Sequence, residues 1–81
     1  MNQTNNPVSL ADICIGTTCK ISSVDLDGLL KRRVLDLGIL PGTSVECIRR
    51  SPAGDPVAYR VRGTTIALRS HDARQIRVHP I

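Results

Sequence analysis

Val57-Ala58-Tyr59-Arg60-Val61-Arg62-Gly63-Thr64-Thr65-Ile66-Ala67-Leu68-Arg69 decides the fold. Val57, Tyr59 and Val61 alternate with Ala58, Arg60 and Arg62, a period of two that buries one face of a strand and wets the other. Gly63-Thr64 puts glycine first in a two-residue reversal, and the returning strand sends Ile66 and Leu68 inward and Thr65, Ala67 and Arg69 outward. A lone hairpin is marginal in water, so the flanking chain must extend the sheet.

Upstream, Ser51-Pro52-Ala53-Gly54-Asp55-Pro56 is a loop, since two prolines remove ladder donors and the glycine permits a reversal. Before it, Ser44–Arg50 holds Val45, Cys47 and Ile48, an alternation broken once, as a bulge would break it. Leu40-Pro41-Gly42-Thr43 has the residues of a type II turn, with proline second and glycine third. Residues 25–37 place Leu26, Leu29, Leu30, Val34 and Leu37 on one helical face, and Gly38 follows as a left-handed stop. Thr17–Val24 alternates poorly but suits a strand with Cys19 and Ile21 on one face, and Ser9 can cap a single turn through Leu10, Ala11 and Asp12. Downstream, Ser70-His71-Asp72-Ala73 reads as a short 3-10 turn near residues 70–74, and Ile76 and Val78 mark a last strand. The expectation is a mainly β domain of about five short strands with one inserted helix, rolled into a small closed or nearly closed barrel over residues 8–81. Residues 1–7 are expected to form a disordered tail.

Composition removes several functions. The apolar set holds seven Val, eight Ile and eight Leu but no Phe, no Trp and a single Tyr, so binding modes that depend on aromatic faces lose their means. No apolar run approaches the length needed to span a membrane, and the polar start Met1–Asn6 lacks the features of a secretory leader, so a cytoplasmic location is expected. Three cysteines in such a chain read as reduced thiols. The charge of +4 is uneven: residues 1–45 carry four acids and four bases, whereas residues 46–81 carry seven arginines against Glu46, Asp55 and Asp72. Arginine favours planar hydrogen-bonded contact with carboxylate or phosphate.

Cys14, Cys19, Cys47, His71 and His79 are metal-donor types, yet Cys14 and Cys19 are five apart, pointing to opposite faces of a strand, and no Cys-x-x-Cys knuckle occurs. No metal site is assigned; Cys14, Cys19 and His71 are the nearest candidates, and no cofactor is expected. The aspartates occupy turn, cap and helix-surface contexts, His71-Asp72 has no neighbouring nucleophile, and the glycines are isolated, so an enzyme is not expected. Arg60, Arg62, Arg69 and Arg77 could share an outward face, which keeps a basic nucleic-acid-binding barrel open as a reading. Without aromatics or a recognition helix, no specific nucleic acid is expected.

Leu35-Asp36-Leu37-Gly38-Ile39-Leu40-Pro41-Gly42-Thr43 resembles the hallmark of the ferrous iron transport protein A (FeoA) family. The likeness runs on through Arg49–Val57, Ile66-Ala67-Leu68-Arg69 and Asp72-Ala73, to Ile76 and Val78, covering residues 9–79. Ala53 departs from the larger apolar residue expected at the loop tip. The resemblance implies an SH3-like barrel and a small cytosolic, non-enzymatic accessory that docks on the ferrous iron permease, a membrane transporter with its own GTPase domain. Two surfaces would serve for docking: the helix flank and following turn with Lys31, Arg32, Leu40 and Pro41, and the stiff loop with Pro52, Asp55 and Pro56. Outward Arg60, Arg62 and Arg69 could meet acidic GTPase surface or the anionic inner face of the membrane. A second implied reading is an SH3-like regulatory domain related to metal-dependent repressors, although the chain has no DNA-reading helical domain.

Overall fold

The structure, a computed structural model, describes residues 8–80, so the expectation for residues 1–7 lies outside it. Six strands form one antiparallel sheet: β1 (Val8–Ser9), β2 (Thr18–Val24), β3 (Ser44–Arg50), β4 (Val57–Val61), β5 (Thr64–Leu68) and β6 (Ile76–Pro80). Their order is β1-β6-β2-β3-β4-β5. A 3-10 turn, Leu10–Asp12, follows β1; helix α1 is Gly28–Asp36 and helix α2 is Ser70–Ala73. The strand beyond the expected five is the two-residue β1, too short to show a period but paired with β6 through Val8↔Val78 and Ser9↔Arg77.

Irregular alternation in the sequence has a geometric cause. In β2 the buried residues are Cys19, Ile21 and Val24, spacings of two and then three, because the register against β6 shifts between Ile21 and Ser23. β3 shifts in the same way against β4 between Cys47 and Arg49, the bulge expected there. Bulges sharpen strand twist, which lets a sheet this small roll around a single core. That core holds Cys19, Ile21, Val34, Ile39, Val45, Cys47, Val57, Tyr59, Val61, Ile66, Leu68, Ile76 and Val78, drawn from five strands, α1 and the turn after it.

The two edge strands do not pair with each other. The 3-10 turn after β1 packs instead on α2, the helix after β5, so side chains close the seam. Two polar side chains hold it. The Tyr59 hydroxyl donates to the Leu10 carbonyl at 3.3 Å inside the core. From outside, the Arg50 guanidinium donates to the Ile13 carbonyl at 3.1 Å. The Ser9 hydroxyl and backbone N–H both donate to the Asp12 carboxylate, at 2.9 and 3.3 Å, fixing the turn locally as expected of a serine at that end.

Three local expectations change. The hairpin reversal is Arg62-Gly63, one residue earlier than the sequence suggests, with φ of 53° and 80°; both central residues must be left-handed in a type I′ turn, and here arginine accepts that conformation. Helix α1 begins at Gly28 and not at residue 25, because the Asp25 N–H is engaged by the Gln75 carbonyl at 2.7 Å and Asp27 is fully extended. The segment near 70–74 is an α-turn: Ala73 and Arg74 N–H groups reach four residues back, to the Arg69 and Ser70 carbonyls. The 3-10 geometry sits at Leu10–Asp12 instead.

Candidate functional site

The late start of α1 changes which of its leucines are buried. Leu26 lies in the core ahead of the helix, and Val34 is the buried residue of α1 itself. Leu29 is 84% exposed, Leu30 36%, Leu37 40% and Leu40 38%. The apolar face read from the spacing is real, but the barrel covers only part of it. At its C-terminal end α1 closes with the Gly38 N–H on the Leu35 carbonyl and the Ile39 N–H on the Val34 carbonyl, both 3.0 Å. This double bond pattern, with buried Ile39 against Val34, holds the helix in place from one end.

An open groove of about 380 Å³ lies between α1 and β5. Leu30, Val34 and Leu37 line one side and β5 the other, with Arg33, Arg69 and Asp72 at the rim. A second, shallower depression of about 160 Å³ lies among Arg49, Ser51, Pro56, Ala58 and Ala67.

The residues singled out in the sequence disperse. Lys31 and Arg32 are exposed on α1, and Leu40 and Pro41 are exposed in the turn after it. Pro52, Asp55 and Pro56 are exposed, but the Asp55 carboxylate accepts hydrogen bonds from the Ser70 N–H at 2.9 Å and the Ser70 hydroxyl at 3.4 Å, tying the loop to the start of α2. Arg60 is half exposed and faces Glu46 at 3.8 Å. The Arg62 stem lies over Gly38, where a Cβ would come 3.1 Å from Arg62 Cδ. Among the named arginines, Arg69 alone lines the groove, beside Arg33, to which no local pattern in the sequence pointed. The available signal was an apolar arc on α1 broader than a thin barrel can cover.

Among the described residues no three His, Cys, Asp or Glu side chains converge as metal ligands. Cys14 is exposed, whereas Cys19 and Cys47 are buried. Burial, with Cys47 nearby, pushes the Cys19 thiol up to about 11, and burial raises Cys47 as well. An unfolded thiol ionises near 9 while the buried Cys19 waits until about 11, so the unfolded state loses its proton first as pH rises. Stability is therefore expected to hold below pH 9 and to fall from there towards about 11. Urea midpoints measured across that range check this, and Cys19→Ala should flatten the lower part of the decline. In the same protein at neutral pH, a thiol reagent should consume one cysteine quickly and all three only after unfolding.

Among the described residues no helix is long and apolar enough to cross a membrane. The model of the FeoA domain family matches residues 8–80. The chain is 31% identical over 72 residues to the Fe(2+) transport protein A/Fe(2+) transporter FeoB fusion protein of Porphyromonas gingivalis; the match takes 89% of this chain and 8% of that relative's length. The solution structure of FeoA from Chlorobium tepidum superposes with a TM-score of 0.86 at 29% identity, over 90% of this chain and 70% of that one. The zinc complex of Stenotrophomonas maltophilia FeoA, described as a prokaryotic SH3 domain protein, superposes at 0.76 with 30% identity, over 86% and 87%. A manganese-dependent transcriptional repressor shares the fold, with a TM-score of 0.83 over 98% of this chain and 44% of that chain at 20% identity. With the family model spanning the described sheet from β1 to β6, this chain belongs to the FeoA family and has its SH3-like fold.

Proposed function

We propose that this chain is a non-enzymatic accessory of ferrous iron uptake, cytoplasmic, docking on the GTPase-bearing cytosolic part of the ferrous iron permease. The observation that carries this reading is the fusion: in the Porphyromonas gingivalis relative, a segment like this one belongs to the same polypeptide as an iron transporter. Domains joined in one chain are held at high effective concentration, an arrangement suited to partners that work in contact. The surface chemistry agrees with an outward-acting adaptor. Nine of eleven bases are arginine, and the excess lies in residues 46–81, where Arg62 and Arg69 are exposed. Such a surface attracts an acidic protein face and speeds encounter, and the anionic inner leaflet lies within the same reach.

The experiment compares ferrous iron uptake and GTP hydrolysis by the purified transporter in vesicles, with and without this protein. Addition is expected to raise uptake and to change turnover of GTP, with Arg69→Glu weakening the effect. Unchanged uptake and unchanged hydrolysis would remove the reading.

A further inference from the structure

The β4–β5 hairpin determines what faces the groove. A two-residue turn at Arg62-Gly63 makes Val61 and Thr64 a hydrogen-bonded pair, and antiparallel pairs then alternate along the ladder. The N–H and C=O groups of Thr65 and Ala67 therefore point away from β4. β5 ends the sheet, and among the described residues neither Thr65 nor Ala67 has a backbone bond to another element. Natural edge strands are guarded by charge, proline or a bulge. Thr64-Thr65-Ile66-Ala67-Leu68 carries no charge and no proline, and its register against β4 is unbroken. This bare edge lines the same groove as the half-exposed Leu30 and Leu37.

We propose that the groove between α1 and β5 receives an extended segment of the transporter's cytosolic face, added to β5 as a further strand. Alternate apolar side chains of that segment fill the space over Val34 and Ile66 against Leu30 and Leu37, and its acidic side chains meet Arg33 and Arg69. The backbone of Thr65 and Ala67 supplies affinity that does not depend on sequence, and the apolar wall with its two arginines supplies selection. Charge decides between this occupant and a second copy of the chain. Two copies joined edge to edge would bring Arg33 and Arg69 of each against the other on molecules of net charge +4, with Asp72 the one acid among the described residues of the rim. The identity of the partner rests on the adaptor reading; the groove's preference for an acidic, apolar strand is a property of this chain.

The test separates the two. A capped nonapeptide of alternating valine and glutamate is titrated into the isotopically labelled protein, with the valine–lysine peptide as control. Saturable amide shifts are expected at Thr65, Ala67 and α1, with slower hydrogen exchange at Thr65 and Ala67 and affinity about tenfold above the lysine control. Leu30→Glu, at an exposed position, should abolish the shifts while leaving the rest of the spectrum intact. Ala67→Pro should remove the slowed exchange. Shifts centred elsewhere, equal binding of the lysine peptide, or no binding would each overturn the groove assignment. With the purified transporter, Leu30→Glu is expected to cut capture about tenfold. Capture that survives Leu30→Glu overturns the groove and keeps the adaptor; native protein that captures nothing overturns the adaptor and the partner named here, and the peptide titration then decides the groove by itself.

Discussion

Tyr59→Ala is expected to cost this protein about 3–5 kcal/mol of folding stability and to lower its urea midpoint accordingly. Tyr59 is fully buried, the largest side chain in the core, in a chain with no Phe, no Trp and no other Tyr. Removing a buried ring costs about 3–5 kcal/mol, and a domain of this size has roughly 4–12 kcal/mol in all at 0.05–0.15 kcal/mol per residue. The loss falls at a sensitive place, because the hydroxyl of Tyr59 holds the Leu10 carbonyl across a seam that no strand pairing closes. Tyr59→Phe separates the two contributions: it keeps the ring and leaves the Leu10 carbonyl with the long 3.5 Å bond from the Ile13 N–H, for a loss of about 1 kcal/mol. Urea denaturation followed by circular dichroism measures both. A Tyr59→Ala protein within about 1 kcal/mol of the native chain would show that the seam is closed by something other than this residue.

The second large effect belongs to Gly38→Val, with an expected loss of about 2–3 kcal/mol. Gly38 has φ of 104°, a conformation that a β-branched residue adopts only under strain, and an added Cβ would come 3.1 Å from Arg62 Cδ. Both causes act where α1 is anchored, so the helix should loosen together with the tip of the β4–β5 hairpin. Gly42 is the control, since its φ of 90° is also left-handed but an added Cβ meets nothing within 4 Å. Gly42→Val should therefore cost only the backbone strain, about 1–2 kcal/mol. Trimming the stem in a Gly38→Val, Arg62→Ala double variant should recover the contact part of the loss. Equal losses at Gly38 and Gly42 would show that the helix does not rest on Arg62.

These two residues differ in how readily the sequence announces them. Tyr59 is plainly inward, because it stands between Val57 and Val61 at a period of two. Its bond to Leu10 is invisible, since 49 residues separate the partners. Gly38 is legible as a helix stop from its position after Leu37, whereas its close approach to Arg62 depends on where the hairpin tip folds back. The site was less legible than the fold. Lys31 and Arg32 lie on α1 with its exposed leucines, and Leu40 and Pro41 are exposed in the turn after it. Asp55, however, is tied to Ser70 and Arg60 stands against Glu46, and neither pairing follows from local pattern. The bare edge of β5 has no local signal, because an edge is a property of strand order.

The chain by itself determines five of its strands, its longer helix, the places where it turns and its family, since each depends on side chains within a few residues of one another: alternation, a glycine after a leucine, a proline before a glycine. Which strand ends the sheet, how the seam closes and which leucines the barrel leaves uncovered were decided only in three dimensions. Those outcomes follow from how far two bulged strands curl and where a helix anchored at one end comes to rest. Both are set by packing among residues distant in the chain, which no local pattern encodes.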